Sequence, residues 1–260
     1  MAHLFIFGLG YSAKRIADMA CRAGWTLAAT GADGTVDFGD LEAVRRGLSG
    51  ADYVLSSVPP DRVSGQDPVL AAHGPALPPC PLGYLSSTGT YGDQKGAWVD
   101  ESAPTSGTRR MARAKADAAW LERGAHVFRL PGIYGPGRSA LDRVREGKAH
   151  RIDLPEQVFS RVHVTDIATG VMAAISGAAP PGAYNLADDL PCSQNLVIEE
   201  ACRLMHVDPP PLLTLEQADL SPMARGFYAE NRRVANGKAK RVLGWRPAFA
   251  TYREGLASLL

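Results

Sequence analysis

Residues Tyr84–Lys115 read YLSSTGTYGDQKGAWVDESAPTSGTRRMARAK. The first half is a β-run, Gly83–Ser87, that ends in the adjacent serines Ser86 and Ser87, with Thr88 following. A Tyr91-Gly92 pair comes next, then an Asp-Glu-x-x-Pro loop, Asp100–Pro104, then a helix expected over Thr108–Arg123 that carries Lys115 and stops at Gly124. Hydroxyls at the end of a strand have two readings. They hold a reacting oxygen, or they satisfy nearby backbone groups.

Upstream, His3–Phe7 is a compact apolar run followed at once by Gly8-Leu9-Gly10-Tyr11-Ser12-Ala13. The helix that opens there puts Ala13, Ile16, Ala17 and Ala20 on one face and ends at Gly24. Strand, glycine turn and helix are the context in which G-x-G-x-x-A carries meaning. Gly8 allows the tight turn, Gly10 lets the backbone approach a pyrophosphate, and Ala13 lets helix and strand pack closely. The plain alternative is a bare turn between strand and helix. Trp25–Thr30 reads as a second strand. The acid that a dinucleotide ribose wants near its end is offered late, at Asp33, with no Lys or Arg in Thr30–Asp33, so the balance tips to NAD over NADP. Asp33 reads equally as a turn residue. Thr35–Phe38 is expected as a short third strand. Asp40 reads as the N-cap of a helix with Leu41, Val44 and Leu48 on one face.

Tyr53–Val58 is a fourth strand closed by Pro59-Pro60. Residues 61–81 are rich in proline and poor in periodicity, and PALPPCP cannot continue a helix. After the helix holding Lys115, His126–Leu130 is a further strand running into Arg129-Leu-Pro-Gly-Ile-Tyr-Gly-Pro-Gly-Arg138. Arg161-Val-His-Val-Thr-Asp166 heads an apolar helix to about Ile175, and Ala183–Ala187 (AYNLA) is the last strand. His163, in that apolar run, reads as a core histidine. The tail runs NGKAKRVLGWRP from Asn236, and Thr251-Tyr-Arg-Glu254 spells a capping box.

Taken together and in this order, the glycine turn, the Ser87–Tyr91 segment, the YGP loop, RVHVTD and the tail resemble the extended short-chain dehydrogenase/reductase superfamily of NAD-dependent epimerases and dehydratases. The resemblance covers most of the chain and is weakest over 59–81. It implies an α/β, Rossmann-type doubly wound parallel sheet, with residues 1–136 and 160–187 binding NAD(P) and residues 137–159 and 188–260 forming a small substrate lobe. It implies cofactor contacts from Gly8, Leu9, Gly10, Tyr11, Ser12, Asp33, Asp40, Leu41, Val58, Ser86, Lys115 and Pro131. Gly39-Asp40-Leu41 would then sit at the adenine. Catalysis would fall to Ser87 and Lys115, with Thr88, Tyr91, Met111, Arg138 and Arg161 at the substrate. The sequence departs from the family in three places. The family's glycine spacing is G-x-x-G-x-x-G. Its dimer helix is replaced by the proline-rich stretch, which implies a monomer or a dimer built some other way. The tyrosine of its Tyr-x-x-x-Lys motif falls on Met111, whose thioether neither gives nor takes a proton. A positioned acid/base is worth about 10²–10⁴ in rate.

Composition narrows the partners. A 260-residue chain with 45% hydrophobic residues and a formal charge of +1 can bury a sizeable core and has no electrostatic reason to seek nucleic acid. No stretch approaches the ~20 apolar residues of a membrane span. Cys21, Cys80, Cys192 and Cys202 lack metal or redox spacing, so no metal is expected and free thiols in a cytoplasmic setting are. MAHLFIFGLG is apolar but broken by glycines and reads as a first strand. Arg109, Arg110 and Arg113 crowd the helix around Met111, as a solvated face or as anion ligands. Two function classes follow: an NAD(P)-dependent oxidoreductase or epimerase acting on a small hydroxylated or nucleotide-linked substrate, and a non-catalytic dinucleotide sensor on the same fold.

Overall fold

The structure, a computed structural model, describes residues 1–105, 111–177 and 179–260. The chain begins with β1 (His3–Phe7), α1 (Tyr11–Arg22), β2 (Thr26–Ala29), α2 (Leu41–Leu48), β3 (Tyr53–Ser56), α3 (Pro68–His73) and β4 (Leu82–Ser87). It continues with β5 (Trp98–Val99), α4 (Met111–Glu122), β6 (His126–Leu130), β7 (Gly132–Tyr134), α5 (Ala140–Arg145), β8 (Arg151–Ile152), β9 (Arg161–His163), α6 (Val164–Ser176) and β10 (Gly182–Asn185). It closes with α7 (Gln194–Met205), β11 (Leu212–Leu213), α8 (Pro222–Tyr228), β12 (Arg233–Val234), α9 (Gly237–Val242) and α10 (Tyr252–Ala257).

Six strands form one parallel sheet in the order β10-β6-β4-β3-β1-β2. The chain moves outward from β1 to β2, then returns past β1 to β3. The reversal leaves a crevice beyond the C-terminal ends of β1 and β3, which is where open α/β sheets hold ligands. Helices cover both faces because β1 is apolar on both. Leu4 and Ile6 pack with Ala13, Ile16, Ile167 and Val171 of α1 and α6. Phe5 and Phe7 pack with Val44, Val69, Ala116 and Trp120 of α2, α3 and α4. Such two-sided burial is the signature of a parallel strand with crossover helices. A separate cluster, with Leu141, Val197, Ile198, Ala201, Tyr252 and Leu256, joins α5, α7 and α10 beyond the sheet's C-terminal edge.

Two expectations need correction. Thr35–Phe38 is not a strand; a single bridge joins Thr30 to Val36, and Gly31 and Gly34 crowd the turn between them. The proline-rich segment does hold a helix, α3, because Pro68 stands in its first turn, where its missing N–H costs nothing. The Asp67 carboxylate accepts from the N–H groups of Val69 and Leu70 and from Trp120 Nε1 at 2.9 Å, tying α3 to α4. Asp40 caps α2, accepting from Ala43 N–H. Glu254 reaches back to the Thr251 N–H at the start of α10.

Candidate functional site

The glycine turn is held from behind. Gly8 has φ +82°, and its N–H donates to Thr30 Oγ1 while Leu9 N–H donates to the Thr30 carbonyl. Ser57 Oγ donates to the Gly8 carbonyl. A Cβ on Gly8 would meet Val58 Cγ2 at 2.9 Å, so only glycine fits there. Gly10 is different. Its backbone is extended, and a Cβ there would meet nothing within 4 Å. Gly10 offers no capping side chain, and the first turn of α1 holds no acid, so the helix N-terminus presents bare N–H groups.

A cleft of about 650 Å³ starts at this N-terminus and runs across Ser86, Ser87, Thr88 and Pro131 into the segments between α5 and β12. Of the residues expected at the cofactor, Gly10, Tyr11, Ser12, Ser86 and Pro131 line it; Arg138, Arg161, Ser87 and Thr88 do too. Gly8, Leu9 and Val58 form the turn behind. Asp33 and Asp40 are exposed, Asp33 pairing with Lys14 at 2.6 Å and Asp40 capping α2, and Leu41 is half-exposed beside it; among the described residues none of these three lines the cleft.

Neither Met111 nor Lys115 is among the described residues that line the cleft. Met111 is 55% exposed and Lys115 is exposed. The helix buries Ala116, Asp117 and Trp120 instead, and Arg113 precedes these by three, four and seven residues. Arg113 therefore turns inward and lines the cleft. Asp117 sets this rotation. Its carboxylate takes a two-pronged hydrogen bond from Arg129 of β6, 2.7 and 3.0 Å, and one from Ser86 Oγ at 2.6 Å. Arg109 and Arg110 lie outside the described residues.

Two other expected contacts are spent on structure. Tyr91 is fully buried, donating to Asn185 Oδ1 at 2.8 Å and accepting from Arg129 at 3.0 Å; burial pushes its phenol pKa up. Arg161 is buried, and its guanidinium donates to the carbonyls of Phe159, Cys192 and Ser193 and to Gln194 Oε1, clasping β9 to the chain entering α7. His163 is a core histidine, its Nδ1 accepting from Thr165 N–H and its pKa pushed down to about 4 by burial and then by Arg15.

Ser87 Oγ accepts from Gly89 N–H at 3.1 Å, which leaves its own proton free to be donated into the cleft. Sequence reasoning missed Arg143, His150, Phe159 and Tyr228 in the far wall. His150 Nε2 lies 3.5 Å from the Tyr228 hydroxyl, and burial lowers the histidine's pKa and raises the tyrosine's. A helix-face count on α4 would have found Arg113. No local pattern marks the far-wall residues, which come from segments 78 positions apart. Chemically, the cleft offers helix N–H donors and an arginine at one end, hydroxyl donors in the middle, and a neutral imidazole beside a phenol at the other.

No family model matches the chain. A conserved protein of unknown function from Silicibacter pomeroyi DSS is 38% identical, with a TM-score of 0.87 covering 100% of this chain and 98% of that one. The dTDP-glucose 4,6-dehydratase of Bacillus anthracis, solved in complex with NAD, is 14% identical with a TM-score of 0.77 over 100% of this chain and 95% of its own. A 3-diazoavenalumate denitrifying reductase from a Streptomyces species is 31% identical over 172 residues, 59% of this chain and 54% of that protein, so the match spans about half of the relative's length. The sheet order, the glycine turn and these likenesses define a Rossmann-type, doubly wound α/β fold. The chain belongs to one family with the Silicibacter protein.

Proposed function

We propose that the chain binds NAD(H) or NADP(H) in this cleft and works as an oxidoreductase on a small molecule held at the cleft's far end. The observation that carries the reading is the uncapped N-terminus of α1 behind Gly10, open to a cleft that leads directly to Ser86–Thr88. Those N–H groups suit a pyrophosphate. Gly10, Tyr11 and Ser12 would hold it, and Ser86 and Pro131 are placed for the other half of the cofactor. When bound, the nicotinamide supplies hydride chemistry. Ser87 and Thr88 would orient a substrate oxygen, and the guanidinium of Arg113, always charged, would favour negative charge without transferring a proton. Asp33 argues for neither cofactor, because its charge is met by Lys14.

Calorimetry tests the reading. The wild type should bind NADH or NADPH with a Kd in the roughly micromolar-to-millimolar range. Gly10→Val places its side chain where no protein atom stands, so it should fold and lose the cofactor. A wild type that binds neither dinucleotide overturns the proposal. A second reading, a dinucleotide sensor, is favoured by one observation: neither Met111 nor Lys115 is among the described residues lining the cleft. Binding without oxidation of NADPH across a panel of small carbonyl compounds would decide for it.

A further inference from the structure

We infer that the far end of the cleft receives a small monocarboxylate with an apolar body, its carboxylate on Arg143. Among the described residues, five arginines line the cleft: Arg113, Arg138, Arg143, Arg161 and Arg232. Arg161 is spent on its clasp, and Arg232 donates to the Gly92 carbonyl and pairs with Glu230 at 2.8 Å. Arg138 lies over the Tyr11 ring, 5.7 Å from its centre, at the glycine-turn end. Arg113 stands by the end of β4, its charge acting on Tyr84. Arg143 makes no side-chain hydrogen bond or ion pair among the described residues, and it sits at the far end. It lines the cleft together with His150 and Tyr228, which lie 3.5 Å apart, and its charge bears on both.

An unpaired guanidinium matches a carboxylate, which it binds two-pronged. Beside it the wall is apolar: Val158 and Ile198 line it, and Phe159 stands edge-on to Tyr228 with ring centres 5.6 Å apart. Charge and size both select the ligand class. Among the described residues Arg113 and Arg138 also lack an ion pair but stand elsewhere along the cleft, so Arg143 is the guanidinium at this end that can meet a single negative charge. A cleft of about 650 Å³ falls within the range of roughly 300–1,000 Å³ for single-ligand pockets. Shared with a dinucleotide, it suits a small second molecule.

The inference rests on the proposed cofactor reading for what fills the near end, but its test does not need the cofactor. Titrate the full chain by calorimetry with 3-phenylpropanoate and with its neutral amide, 3-phenylpropanamide, with and without NADPH. The acid should bind about tenfold or more tighter than the amide, as a charge-assisted pair implies. Arg143→Gln should abolish that preference while leaving the affinities for the amide and for NADPH unchanged, and Arg143→Lys should restore part of it. Equal binding of acid and amide, an unchanged acid affinity in Arg143→Gln, or tight binding of UDP-glucose in place of the acid would each overturn the inference. Retained acid preference with no NADPH binding would sink the cofactor reading alone.

Discussion

Asp117 of α4 and Arg129 of β6 meet in a buried two-pronged ion pair, their side chains 1% and 4% exposed. The pair decides which face of α4 looks into the cleft. Removing one partner leaves an uncompensated buried charge, which costs about 3–5 kcal/mol. Asp117→Ala should therefore lower the Tm by roughly 6–20 °C, taking about 2–4 °C per kcal/mol for a chain of this size. Replacing both with apolar residues, Asp117→Leu with Arg129→Met, should recover much of the loss. Calorimetric scans of the three proteins check this, and a single variant as stable as the wild type would refute it.

The same rotation makes a prediction about binding. Lys115→Met and Met111→Tyr change exposed side chains outside the cleft lining, so both should leave NADH and NADPH affinity within about twofold and stability within about 0.5 kcal/mol. Arg113→Met, in the cleft wall, should weaken the cofactor or substrate affinity severalfold. If Lys115→Met weakens binding and Arg113→Met does not, α4 faces the cleft the other way.

Gly8 and Gly10 should respond oppositely to the same small change. Gly8→Ala forces a left-handed backbone on a residue with a Cβ and drives it against Val58, costing about 1–3 kcal/mol. Gly10→Ala adds a methyl to empty space and should shift stability by less than about 0.5 kcal/mol. Denaturant unfolding of both variants measures the contrast; equal costs would contradict the geometry of the turn.

Asp188 gives the stability a pH dependence. Burial pushes its carboxyl up to about 7, with Arg161 opposing and Asp189 adding to the shift. The unfolded value is near 3.9, so the folded state holds the proton more tightly. That stabilisation is fully present below about pH 4 and is lost as the pH rises through 7. Asp166, pushed up to about 6 by burial, acts in the same sense, and His163, held neutral, acts in the opposite one below pH 6.5. Asp188→Asn isolates the first effect. Between pH 4 and 7 the wild type should lose stability relative to this variant, and parallel Tm curves would argue against it.

The parallel strands and the first helix were legible because their signals are local. Residues 3–7 are apolar on both sides of the pleat, and Ala13, Ile16, Ala17 and Ala20 repeat at the helical period, so each could be assigned without knowing its neighbours. Gly8-x-Gly10 was legible for the same reason, since a tight turn constrains the residues that make it. The rotation of α4 was not. A motif read by spacing singled out Met111 and Lys115, while it is Asp117 that the helix buries, against a partner twelve residues on in another strand, and Arg113 that lines the cleft. Tertiary structure likewise assembled the far wall, where Arg143, His150 and Tyr228 converge from three separate segments. Which cation stays unpaired there depends on where Arg161 and Arg232 find acceptors, and several of these, the carbonyls of Cys192, Ser193 and Gly92, come within reach only in the folded chain.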